Sequence, residues 1–212
     1  MNELFDISDH LKKYAERYKR DLEESLAFLS WLNQYPLQVG RPTVKCKKSV
    51  YRIVYGGYNP LAIAGSLAAG GRFNIGGAQV SGLFPNFSMR ACLYAASSLN
   101  CARNEAGEIR GQAEEYELKP FHTLILWDLK KLINQQIPYR GLREIIDASP
   151  LAARWELQKV PKVSQILAHY LRQHGGDGLI YPSTKDQSQN IIAFFIKDDA
   201  HAQQLFSVKQ MK

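Results

Sequence analysis

PKVSQILAHYLRQHGGDGLIYPSTKDQSQNIIAFFIKD, residues 161–198, is the stretch on which the reading of the fold turns. Val163, Ile166, Leu167, Tyr170 and Leu171 recur at helical spacing and a Gly-Gly pair follows, so the first part predicts a helix with a glycine stop. DGLIYPS and NIIAFFIKD, by contrast, are rich in β-branched and aromatic residues and flank the polar loop TKDQSQ, which predicts two strands. Further out, SVYRIVYGG (49–57) and TLILWDL (123–129) also predict strands, whereas MRACLYAASSLNCARNE (89–105) predicts a helix ending near Asn104 to Gly107. From Asp9 to Leu32 the residues Leu11, Tyr14, Tyr18, Leu22, Leu26, Leu29 and Leu32 form an amphipathic stripe, a helix that packs on its own core or docks a partner. Strands and helices mix without a βαβ rhythm, so the class expected is α+β.

Composition narrows the function. The 212 residues, 45% hydrophobic and 22% charged, suffice for one well-cored domain. We place an N-terminal helical extension and linker at 1–45 and the main domain at 46–212. Cys46, Cys92 and Cys101 form no C-x-x-C pair, and His10, His122, His169, His174 and His201 show no metal spacing, so neither a disulfide scaffold nor a metal is expected. No apolar run nears the roughly 20 residues that span a bilayer, and MNELFDISDHLKK lacks a signal-peptide core, so a cytoplasmic protein without membrane attachment is expected. The net charge of +7 favours phosphate-bearing ligands. Its basic residues are scattered apart from KCKK (45–48), which argues against direct nucleic-acid binding.

GSLAAGGRFNIGGAQ (65–79) sets Arg72 in a glycine-rich loop. It lacks the Lys-Ser/Thr ending of a P-loop and is not G-x-G-x-x-G. Glycines there permit positive φ and close backbone approach, with the arginine fork aimed at an anion.

Taken in order, YRIVY (51–55), GGRFN (70–74), LYAASSLNCARNE (93–105) and GLIYPS (178–183) resemble the RES-domain family, over about residues 49–197. That resemblance implies a fold like that of ADP-ribosyltransferases, a curved, split β-sheet with flanking helices, with the N-terminal amphipathic helix outside it. It also implies a bacterial toxin that degrades NAD⁺ without a metal, by hydrolysis or phosphorolysis or, in some members, by ADP-ribose transfer to a protein. An antitoxin of the Xre type is the implied partner, and homo-oligomers are a further expectation. The residues carried over are Arg52, Arg72, Tyr94, Glu105 and Ser183.

Chemistry gives each a role. Loss of nicotinamide leaves an oxocarbenium-like ribose, which a carboxylate stabilises; Glu105 is the candidate. Arg52 and Arg72 offer paired donors to the pyrophosphate. Tyr94 stacks on nicotinamide or shapes its pocket, and Ser183 bonds the ribose or orients Glu105. The alternatives are an Arg52 paired to a core-edge carboxylate, a solvated Glu105, a Tyr94 that is plain core, a Ser183 that only makes a turn, and Asn74 and Asn190 bonding loop backbone. Phe73 stands where the family pattern has Trp, and the interval AQVSGLFPNFSMRAC (78–92) is long, an insertion that would form a flap or alter the acceptor. Arginine-specific transferases often carry an acid two positions before the catalytic glutamate. Here that position is Arg103, which tilts the reading toward a glycohydrolase or phosphorylase. A non-catalytic binding module of the same fold is the remaining alternative.

Overall fold

The structure, a computed structural model, describes residues 16, 19–20, 23–32, 42–69, 71–76, 91–107, 112–135 and 162–211. One eight-stranded sheet organises them: β1 (Thr43–Cys46), β2 (Val50–Tyr55), β3 (Ala91–Ala96), β4 (Ala113–Pro120), β5 (Leu124–Asp128), β6 (Gly178–Pro182), β7 (Asn190–Ile196) and β8 (Phe206–Gln210), in the order β1-β5-β6-β7-β3-β2-β4-β8. Of these strands only β5 and β6 run parallel; the other neighbours are antiparallel. Helices run over 23–32 (α1), Ala64–Ala69 (α2), Leu99–Ala106 (α3), Leu129–Gln135 (α4), Val163–Gln173 (α5) and Asp199–Leu205 (α6). The class is α+β, as expected. Among the described residues no helix is long and apolar enough to cross a membrane.

The sheet is pinched in its middle. β3 pairs with β7 from Ala91↔Ile196 to Ala96↔Ile191, and β2 with β4 from Val50↔Leu118 to Tyr55↔Ala113, yet β2 meets β3 only at Tyr51↔Ala96. Beyond that pair the two strands diverge, and the gap is where a ligand can reach into the sheet.

The 89–105 segment is a correction. Its first half is the central strand β3, and only its second half, α3, is helical. Alanine-rich sequence favours helix in isolation, but ACLYAA is buried on both faces and ladders to β7 along its whole length, so tertiary pairing overrides propensity. Ser98 then starts α3 as its N-cap, accepting a hydrogen bond from the Cys101 backbone N–H at 3.1 Å. Of the helix expected over 9–32, residues 16, 19, 20 and 23–32 are described, and all are helical. Its buried stripe is Ser25, Phe28 and Leu32, while Leu26, expected inward, is exposed. Phe28 and Leu32 join the core formed by Phe73, Trp127 and the apolar face of α5, so this helix packs on its own chain. β1 spans the boundary placed at 45/46.

Candidate active site

The cleft is built from three pieces of chain. β2 contributes Arg52 from the diverging edge of the sheet, the turn 71–74 contributes Arg72, and the last turn of α3 contributes Glu105. Together with Tyr94 they line one cavity of about 410 Å³. Positions 52, 72, 94 and 105, far apart in the sequence, thus converge. Residues 77–90, most of the expected insertion, lie outside the described residues.

Arg52 has no carboxylate partner among the described residues. Its Nη2 lies 3.5 Å from the Ala62 carbonyl, a long contact, and its Nη1 is buried with no hydrogen-bond partner. Burial holds the guanidinium down to about 10, so it is still charged at neutral pH, and an incoming anion would relieve that penalty.

Arg72 is 8% exposed, its guanidinium 5.6 Å from the centroid of the Tyr181 ring. The turn that carries it is closed by reciprocal backbone bonds between Gly71 and Asn74. Gly71 is not needed for positive φ; it is needed because a Cβ there would lie 2.6 Å from Asn74 Oδ1 and 2.8 Å from the Tyr94 hydroxyl. Close approach, one of the two uses foreseen for these glycines, is the one this position shows.

Tyr94 stands beneath that turn. Its hydroxyl accepts from the Phe73 N–H at 3.0 Å and donates to Asn74 Oδ1 at 2.9 Å, while Asn74 Nδ2 donates to the Ser66 carbonyl at 2.7 Å. Burial raises Tyr94 well above the usual phenol range, which keeps the hydroxyl a donor. The Asn74 side chain thus bonds the backbone of α2 and the Tyr94 hydroxyl rather than loop backbone.

Ser183 follows β6 and is 1% exposed. Its Oγ accepts from the backbone N–H groups of Lys185 (3.1 Å) and Asp186 (3.0 Å), which leaves its proton for Glu105 Oε1 at 2.5 Å. The serine thus hydrogen-bonds the carboxylate and is not among the residues that line the cleft. Arg103, two positions before Glu105, is turned away and grips Glu115 of β4 with bonds of 2.6 and 2.8 Å. Among the described residues no cluster of three His, Cys, Asp or Glu side chains could hold a metal ion.

Sequence reasoning passed over Ser164 and Gln165, buried at the start of α5 and bonded to the Arg72 turn, and Tyr55, whose buried hydroxyl has no partner among the described residues. The available signal was two polar residues inside a turn of helix whose neighbours are all buried, since such groups require partners.

Over residues 49–209 the sequence matches the family model described as RES domain. Among solved structures, the chain is similar to the crystal structure of the M. tuberculosis MbcT-MbcA toxin-antitoxin complex, at 14% identity over 87% of this chain and 92% of that chain, with a TM-score of 0.48. No curated protein matches it in sequence.

Proposed function

The chain belongs to the RES domain family, and from that premise we propose that it consumes NAD⁺ by cleaving the nicotinamide–ribose bond, as a glycohydrolase or phosphorylase. The observation that carries this reading is the meeting of Arg52, Arg72 and Glu105 on one cleft. The two guanidinium groups hold the pyrophosphate of the dinucleotide, with planar donors matched to phosphate oxygens. The C1′–N bond then breaks with its electron pair leaving on nicotinamide, whose positive ring is neutralised, and the ribose acquires oxocarbenium character. Glu105, held by the Ser183 hydroxyl, faces that charge and binds ribose hydroxyls through its remaining lone pairs. Water or phosphate adds to C1′ and loses a proton.

The fold to which this chemistry belongs is that of ADP-ribosyltransferases, and the single β2–β3 pair supports it as the split in the sheet. Arg103 supports water or phosphate over an arginine acceptor, because a cation tied to Glu115 stands where arginine-modifying enzymes place an acid. We read the protein as a cytoplasmic toxin whose cleft is blocked by an antitoxin, Xre-type in the family pattern, with residues 46–212 as the catalytic unit.

Purified protein incubated with NAD⁺ should release free nicotinamide, followed by liquid chromatography in plain buffer, with added phosphate, and with labelled NAD⁺ in lysate. ADP-ribose, its phosphate ester or labelled protein, respectively, would identify the acceptor. Release under none of the three conditions would leave a binding module as the remaining reading.

A further inference from the structure

The turn that bears Arg72 has all four of its carbonyls occupied, and the first turn of α5 supplies the bonds to three of them. Gln165 Nε2 donates to the Gly71 carbonyl at 2.7 Å and to the Asn74 carbonyl at 2.8 Å, while Ser164 Oγ donates to the Arg72 carbonyl at 2.6 Å. The Phe73 carbonyl accepts from Cys92 Sγ at 3.4 Å. Gln165 Oε1 in turn accepts from the Lys162 N–H at 2.9 Å, at the head of the helix. The amide is thereby fixed at both ends: reversed, it would set an oxygen against two carbonyls.

Both residues are essentially inaccessible, Ser164 at 0% and Gln165 at 1%. The Gly71 and Asn74 carbonyls already accept the backbone bonds that close the turn, so Gln165 adds a second bond to each. Here residues 71–76 are all buried and their single charged member is Arg72, so the hydrogen bonds from α5 fix the place from which that guanidinium projects. We propose that Gln165, assisted by Ser164, is a positioning residue for Arg72, setting the register of its guanidinium against the anionic part of the ligand. This rests on the reading of the cleft as a dinucleotide site.

The test is a double-mutant cycle read by calorimetric titration with ADP-ribose, which keeps the pyrophosphate and lacks the scissile bond. Gln165→Met, similar in size but without donors, is measured alone and in an Arg72→Ala background, with Tm recorded for each protein. If Gln165 acts through Arg72, its loss weakens ADP-ribose binding about tenfold in the parent and leaves the affinity of the Arg72→Ala protein unchanged, while Tm falls in both. Equal weakening in the two backgrounds, or none in either, overturns the proposal. Should Gln165→Met not fold, Ser164→Ala carries the same cycle, with a smaller expected loss in the parent and again none in the Arg72→Ala protein. A parent that binds no ADP-ribose would remove the dinucleotide reading and this proposal together; a parent that binds while the cycle shows no coupling removes this proposal alone.

Discussion

Glu105→Gln is expected to lower kcat for nicotinamide release by on the order of 10³, with at most a severalfold change in KM. The substitution keeps the size of the side chain and its ability to accept the Ser183 hydroxyl, so the 2.5 Å contact that orients it can persist. What disappears is the negative charge, and charge is what an oxocarbenium-like ribose requires from its surroundings. Ground-state binding depends mainly on the pyrophosphate and the two arginines, so KM should respond little. Initial rates at saturating NAD⁺ check this. A variant with wild-type kcat would assign the chemistry to another group, even if the protein proved to be an NAD⁺-consuming enzyme.

The second large effect falls on stability. Gly71→Ala should lower Tm by roughly 5 to 10 °C, equivalent to about 2–3 kcal/mol of overpacking in a chain of this size, measured by differential scanning calorimetry. The added methyl would sit 2.6 Å from Asn74 Oδ1 and 2.8 Å from the Tyr94 hydroxyl, two atoms that are hydrogen-bonded to each other and cannot retreat without breaking the bonds to the Phe73 N–H and the Ser66 carbonyl. Gly57, at the turn after β2, has open space around it and φ of 72°, so Gly57→Ala reports only backbone strain and serves as the comparison. Similar Tm changes for the two variants would show that the Arg72 turn is not tightly packed against Tyr94.

How far the sequence anticipates the molecule depends on which physical signal each element leaves. α5, β2, β5 and β6 are read from local pattern because each buries a face or a stripe, and β7 from a continuous run of β-branched and aromatic residues. β3 is misread as helix because ACLYAA is alanine-rich and a run of small residues looks helical, whereas β7, equally buried on both faces, declares itself through β-branched and aromatic residues. β4 and β8 leave weak traces: AEEYELKP fully buries only Leu118 and Pro120 and carries half-buried glutamates, and FSVKQ exposes four of its five residues at the edge of the sheet. The site divides in the same way. Arg52, Arg72, Tyr94 and Glu105 are found through an ordered set of short motifs, and the structure brings all four to one cavity. Ser183 is found by the same route, and only coordinates show that its proton points to Glu105. Gln165 escapes because the carbonyls it holds lie more than ninety residues earlier, and no local rule connects a polar residue in a helix to a turn that far away.

The central claim is that Arg52, Arg72 and Glu105 receive one dinucleotide together, and a crystal structure of the Glu105→Gln protein grown with NAD⁺ tests it most directly. The account predicts the pyrophosphate between the guanidinium groups of Arg52 and Arg72, with the nicotinamide ribose against residue 105. NAD⁺ bound away from this cleft, or lying in it with its phosphates turned from both arginines, would contradict the account.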